Sequence, residues 1–328
     1  MKSRPSYETS CGAAYCGDSL DLIGELEDDS VSLIFTSPPF ALQRKKEYGN
    51  PDQDGYVAWL ASFARKLLPK LRMDGSFVLD LGGAYRKGFP IRSLHNFKIP
   101  IHLCEDAGFF LAEDFYWFNS SKLPSPIEWV NKRKIRAKDS VDTVWWFSRT
   151  AWPKADVSRV LTPYSTRMKK LLANPEGFYK PKKRPSGHDI GTAFAVDNGG
   201  AIPSNLLSIP NSESNSPYLA ACKRLGLEAH PARFPPRLPE FFIRMLTDPG
   251  DLVVDIFAGS NTTGMVADHE GRTWMAFEID RGYLAASTFR FLSPDEPDAR
   301  FRAVHERVLL GRPVSLPSGR LIRSGRRG

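Results

Sequence analysis

The sequence predicts an α/β fold: a doubly wound, mostly parallel sheet of Rossmann-like type, interrupted by a long loop-rich insertion. Three observations carry this expectation. Apolar runs bounded by turn residues recur along the chain, segments with helical spacing lie between several of them, and the alternation stops over one long stretch rich in Pro, Ser, Asn and Gly. Continuous runs such as Val-Ser-Leu-Ile-Phe at 31–35 and Leu-Val-Val-Asp-Ile-Phe at 252–257 suit strands covered by helices on both faces.

In chain order, the candidate strands are a short one at Ala13–Cys16, then Val31–Thr36, Ser76–Leu81, Asp114–Phe118, Thr143–Phe147, Leu252–Phe257 and Trp274–Glu278. Tyr56–Leu71 has helical periodicity, with Val57, Leu60, Phe63, Ala64, Leu67 and Leu68 sharing a face. Pro239–Leu246 reads as another helix, ended by the Asp-Pro-Gly turn at 248–250. Residues 151–227 form the insertion. A loop-rich stretch of that length inside a compact domain reads as functional, with a structural excursion as the plainer alternative.

Hydrophobic residues make up 41% of the 328, enough to bury a sizeable core. No apolar run approaches the ~20 residues of a membrane span, and the polar first residues lack a secretory signal. A cytoplasmic protein is expected. Four cysteines without metal-ligand or framework spacing read as small buried hydrophobes, and no zinc site is expected.

The formal net charge of +8 favours a polyanionic partner. The cations cluster: Lys132, Arg133, Lys134 and Arg136 beside Trp129, then Lys180, Lys182, Lys183 and Arg184 after Phe178 and Tyr179. A Gly/Ser/Arg tail holding Arg320, Arg323, Arg326 and Arg327 reads as disordered.

Three motifs sit where strands should end, which is where open α/β sheets bind ligands. Thr36-Ser37-Pro38-Pro39-Phe40 follows the first long strand. Its paired prolines fix φ and leave carbonyl acceptors without competing N–H groups. An exocyclic amino group is a poor nucleophile because its lone pair is delocalised into the ring. Acceptors at Ser37 Oγ and the Pro38 carbonyl would favour a pyramidal nitrogen, while Phe40 stacks on the base. Taken alone, the motif is equally an ordinary Pro-Pro turn.

Asp255-Ile-Phe257-Ala-Gly259-Ser260-Asn261-Thr262-Thr263-Gly264 follows the strand at 252, with Gly259 allowing close approach of backbone to a ligand. Glu278 ends the next strand about 20 residues on, where an acid binds ribose hydroxyls in dinucleotide folds. Asp280 is the weaker candidate for that role.

Together, Ser-Pro-Pro-Phe and the later Asp-Ile-Phe-Ala-Gly-Ser-Asn-Thr-Thr-Gly resemble the permuted, β-class DNA amino-methyltransferases of restriction–modification systems. Further stretches that carry the resemblance are Ser37 to Asn50, Ser121 to Arg136, Arg184 to Gly191 and His230 to Pro235. The resemblance implies a seven-stranded methyltransferase sheet, S-adenosyl-L-methionine as cofactor and double-stranded DNA as substrate. It implies a catalytic half over 1–150, target recognition over 151–227 and a cofactor half over 228–295. A C-terminal extension over 296–328 remains. Asp18 would accept from the cofactor adenine amino group. Asp255, Phe257, Gly259, Ser260, Asn261, Thr262 and Thr263 would line the methionine side, Glu278 would hold the ribose, and His230 and Pro231 would open the capping segment. Asn261 stands where the wider family often has a second glycine, and asparagine tolerates the left-handed conformation.

Asp80 ends a strand expected beside the one carrying Ser37, so its carboxylate would polarise the serine or receive the departing proton. A structural acid binding the Gly82-Gly83 amides is the alternative. None of Cys11, Cys16, Cys104 and Cys222 follows a proline, which disfavours the thiolate chemistry of C5-cytosine enzymes. Serine at 37 points to N4 of cytosine rather than N6 of adenine, and the resemblance implies the target CAGCTG. Candidate DNA contacts are Arg133, Lys134, Arg136, Lys182, Lys183, Arg184 and His188. The expected assembly is a monomer or homodimer, paired in function with a cognate restriction endonuclease. The rival classes are a non-catalytic DNA-binding protein, which has no use for a methyl-donor pocket, and an RNA or small-molecule methyltransferase, which needs no such insertion.

Overall fold

The computed structural model describes residues 1–40, 55–175, 196–212 and 216–318. The chain forms two compact units, Met1–Ala155 together with Asn205 onward, and Asp156–Ser204.

The larger unit is built on one sheet. Its strands in chain order are β1 (Tyr7–Glu8), β2 (Gly12–Cys16), β3 (Val31–Thr36), β4 (Leu71–Leu81), β5 (Phe110–Phe118), β6 (Val141–Ser148), β7 (Leu206–Ser208), β8 (Leu252–Asp255), β9 (Thr273–Glu278) and β10 (Val314–Ser315). Across the sheet they run β10-β1-β2-β9-β8-β3-β4-β6-β5-β7. Strands β2, β9, β8, β3 and β4 are mutually parallel, while β6 is antiparallel to both β4 and β5. All seven expected strands form, but the sheet has ten among the described residues rather than seven. The additions β1, β7 and β10, of two or three residues each, extend the two edges. They are too short to show periodicity.

Every residue of β3 is buried, as its unbroken apolar run requires of a central parallel strand. Its alternate side chains serve opposite layers. Ile34 joins the cluster that holds Leu60, Phe63, Ala64 and Leu67 of the helix Tyr56–Leu67. Phe35 meets Phe242 of the helix Arg237–Leu246, ring centroids 5.7 Å apart. The first helix stops at Leu67, short of the expected Leu71. Pro69, with no N–H to give, sits in a 3-10 turn (Leu68–Lys70), and Leu71 already begins β4.

The insertion expected over 151–227 divides. Asp156–Ser204 is the separate unit. Within it, Ser165 caps the helix Thr166–Ala173, and Thr162 and Ala201 exchange two backbone hydrogen bonds. Residues 205–227 instead join the main unit: β7 pairs with β5, and helix Pro217–Leu225 follows. In the C-terminal extension, helix Asp298–Leu309 packs Phe301 on Phe289, and β10 pairs with β1. Residues 319–328, with the arginine tail, lie outside the described residues. Of the four cysteines only Cys222 is buried; the other three are partly exposed, so the expectation of buried thiols fails for them. No helix among the described residues is long and apolar enough to cross a membrane.

Candidate active site

A cavity of about 510 Å³ opens along the carboxyl ends of β2, β9, β8, β3 and β4. It brings together Ser37, Pro38, Pro39, Phe40 and Asp80 with Asp18, His230, Pro231, Phe257, Gly259, Ser260, Thr262 and Glu278. Three other expected pocket residues, Asp255, Asn261 and Thr263, do not face it; they lie behind its wall and shape it.

Asp255 ends β8 and is 1% exposed. One carboxylate oxygen accepts from Thr36 Oγ1 at 2.7 Å and from the Phe257 amide at 3.1 Å; the other accepts from Thr263 Oγ1 at 2.7 Å. Burial pushes its carboxyl up to about 6, and those hydrogen bonds oppose the rise. The fully buried Asn261 adopts φ 54°, the left-handed region foreseen for it. Its side chain accepts from the Gly264 amide at 3.0 Å and donates to the Tyr7 hydroxyl at 2.8 Å, capping the helix Thr262–His269.

Gly259 sits between these anchors with φ +52°, and a Cβ there would lie 2.9 Å from the His230 ring. Its amide donates to Glu278 Oε2 at 2.7 Å, while the Asp280 amide donates to Oε1 at 2.8 Å. Burial raises the Glu278 carboxyl above the ordinary range, and the two amides oppose it. The His230 ring stands edge-on to Tyr283 at 4.7 Å. Asp18 caps the helix Ser19–Gly24 by accepting from the Leu20 amide at 2.8 Å and stays exposed at the rim. Phe257 completes an aromatic wall with Trp59 (5.6 Å) and Phe63 (5.0 Å). Sequence periodicity places Phe63 on the core face of its helix, and nothing in it marks either ring as site-forming.

In the other half, the parallel register pairs Thr36 with Leu79, so Ser37 and Asp80 emerge side by side from neighbouring strands. Ser37 stands close enough to the Asp80 carboxyl to favour its ionised form. Asp80 is 1% exposed, and burial, reinforced by the charge of Asp142, raises its carboxyl well above the ordinary range. Phe40 lies over Gly82: a Cβ there would fall 2.4 Å from the ring, so only glycine leaves the aromatic its place. Asp142 of β6 accepts from Lys122 Nζ at 3.0 and 3.3 Å, and both line the cavity with Trp117 and Asn119. Sequence reasoning misses these four as site residues. The signals that could have found them are the Ser121 to Arg136 stretch already singled out by resemblance, and the β5–β6 register that pairs Trp117 with Asp142.

Arg133 and Lys134 are exposed on the segment after β5. Arg133 lies over the Trp129 ring at 5.1 Å and reaches Glu128 at 3.0 Å. Arg136 is exposed but turned onto its own chain, donating to the Pro90 carbonyl at 3.0 and 2.6 Å and to the Ile135 carbonyl at 2.7 Å. Lys182, Lys183, Arg184 and His188 lie outside the described residues.

Known proteins resemble this chain over most of its length. A family model described as DNA methylase matches residues 31–289. The type II methyltransferase M.PvuII of Proteus hauseri is 62% identical over 315 residues, 96% of this chain and 94% of that protein. The solved PvuII DNA methyltransferase (cytosine-N4-specific) superposes with a TM-score of 0.79 at 53% identity, covering 96% of this chain and 98% of that one. A putative DNA modification methylase from Thermus thermophilus, solved in complex with S-adenosyl-L-methionine, shares the fold, with a TM-score of 0.52 at 17% identity, covering 89% and 95%. The chain therefore belongs to the DNA methylase family.

Proposed function

We propose that this chain transfers the methyl group of S-adenosyl-L-methionine to N4 of a cytosine flipped out of duplex DNA, within CAGCTG. The observation that carries the reading is one cavity holding both Ser37-Pro38-Pro39-Phe40 and the Gly259–Glu278 contact. The similarity to a methyltransferase named as cytosine-N4-specific supports the choice of base, as does serine rather than aspartate at 37.

The residues present fit the cofactor. Each Glu278 oxygen accepts one backbone N–H and keeps a lone pair for a ribose hydroxyl. Asp18 has one oxygen engaged by Leu20 and another for the adenine amino group. The cavity volume lies in the usual ~300–1,000 Å³ of small-molecule sites. When bound, S-adenosyl-L-methionine supplies an electrophilic methyl group on a positively charged sulfur. Phe257, Gly259, Ser260 and Thr262 shape the wall on that side.

The target base is buried in a duplex, so it is extruded before reaction. Phe40 then offers a face for stacking. Ser37 Oγ and the Pro38 carbonyl accept the two amino N–H bonds and hold the nitrogen pyramidal, its lone pair turned toward the donor side of the cavity. Asp80 polarises Ser37 and takes up the proton that the methylated nitrogen sheds. Catalysis is mostly positioning and hydrogen bonding.

Residues 1–150 act as the catalytic half and 228–295 as the cofactor half, the catalytic motif preceding the cofactor motif in the chain. The Asp156–Ser204 unit, with Lys182, Lys183, Arg184 and His188, reads the target, and Arg133 and Lys134 meet phosphates. The enzyme works in the cytoplasm as a monomer or homodimer, as the modification partner of a restriction endonuclease. Duplexes carrying CAGCTG or a single-base variant, incubated with methyl-labelled cofactor, test the assignment. Label confined to CAGCTG is expected. Equal labelling of both overturns the target, and no labelling by folded protein overturns the catalytic reading.

A further inference from the structure

The function proposed above gives no work to the ion pair on the cavity wall. Lys122 Nζ meets both oxygens of the buried Asp142, at 3.0 and 3.3 Å, which leaves at least one of its three N–H bonds for a ligand. The turn that carries Lys122 is pinned. Asn119 Oδ1 accepts from the Ser121 and Asn211 amides, each at 3.1 Å, and the Asn119 carbonyl accepts from the Lys122 amide at 3.2 Å. A buried ion pair adds little net stability, so packing alone does not account for one beside a ligand cavity.

Strand register places the pair relative to the Ser-Pro-Pro-Phe motif. Strands β3, β4 and β6 are consecutive in the sheet. Ser37 follows the end of β3, with Asp80 beside it on β4. Asp80 pairs with Val144, and Asp142, two residues from Val144, lies on the same face of the sheet. Two strand spacings, about 10 Å, therefore separate the Ser37 strand from the Asp142 strand. That span takes one pyrimidine ring with a hydrogen bond at either end of its pairing edge.

We propose that Lys122 is a specificity-determining residue: its remaining N–H donates to the 2-carbonyl of the flipped cytosine, while Ser37 and Pro38 hold the amino group at the other end of the same edge. The inference rests on the cytosine reading above. Adenine presents an amino group to the same acceptors but carries a C–H where cytosine carries the carbonyl. Lys122 would then lose water and gain no acceptor, the circumstance in which a polar site rejects an analogue most strongly. Asp142 orients the ammonium and balances its charge.

The test measures kcat/KM of wild type and Lys122→Met on three duplexes. These carry cytosine, adenine, or a 2-aminopyridine C-nucleoside at the target position; the last keeps the amino group and ring nitrogen of cytosine and lacks the 2-carbonyl. Calorimetric cofactor affinity is the control for folding. Lys122→Met should lose about 10–100-fold on cytosine, the size of a hydrogen bond to a charged group, and nothing on the other two. The preference for cytosine over adenine should narrow by the same factor. Equal loss on all three duplexes would overturn the proposal, with Lys122 then serving a phosphate or the fold. An unchanged preference for cytosine, with N4-methylcytosine as product, would overturn this inference alone. N6-methyladenine as the wild-type product would overturn the cytosine reading with it. Should Lys122→Met fail to fold, Lys122→Met with Asp142→Asn removes both charges, and the same comparison across the three duplexes decides.

Discussion

The Gly259 amide donates to Glu278 Oε2 at 2.7 Å, across 19 residues of chain, and so ties the loop after β8 to the end of β9. One carboxylate thus closes the backbone cradle and faces the cavity with its remaining lone pairs. Glu278→Ala should weaken S-adenosyl-L-methionine binding by about 10–100-fold, the cost of losing a charged hydrogen-bonding group. Titration calorimetry reads the change directly, and unaltered affinity would remove Glu278 from the cofactor site.

Gly259→Ala places a methyl group against His230 at a residue already in the left-handed region. The backbone part costs about 1–2 kcal/mol and the contact adds to it. Adding His230→Ala should relieve the contact and leave the backbone part. Thermal unfolding of the single and double variants separates the two, and a Gly259→Ala variant as stable as wild type would contradict the packing described.

Asp255 supplies the pH prediction. Its folded carboxyl sits near 6, above the ordinary value of 3.8. A raised pKa means the folded state holds the proton more tightly, so this contribution is complete below about pH 4 and is lost as pH rises through about 6. The loss amounts to roughly 3 kcal/mol. Asp255→Asn cannot ionise, so its stability relative to wild type should improve over that window. Urea unfolding at pH 4 and pH 7 measures it, and a constant difference would contradict the burial of an ionisable group there.

The segment after β5 is legible only in part, and the reason is physical. The sequence marks Arg133, Lys134 and Arg136 as one basic cluster, yet Arg136 spends its guanidinium on the Pro90 and Ile135 carbonyls. Arg133→Ala and Lys134→Ala should each flatten the salt dependence of DNA binding by about one phosphate's worth, a slope near 0.9. Arg136→Ala should leave the slope alone. A slope change only in Arg136→Ala would reverse this assignment.

What the sequence could show follows the same division. Apolar runs declare β3 and β8 because both faces of a central strand are covered, and the motifs at their ends lie where expected. The Lys122–Asp142 pair is not encoded in local spacing: Lys122 lies in the stretch singled out by resemblance, but Asp142 reaches the site through the antiparallel register that sets it beside Trp117. Asp255 reads as a pocket residue from its position in the motif. Only the geometry shows both oxygens already taken by Thr36, Thr263 and the Phe257 amide.

The most direct measurement of the central claim is the identity of the product. The purified protein is incubated with unmethylated duplex DNA and S-adenosyl-L-methionine, and the DNA is digested to nucleosides and resolved by mass spectrometry against standards. The expected product is N4-methylcytosine, abolished by Ser37→Ala in protein that still binds cofactor. N6-methyladenine as the product would contradict the assignment of the base.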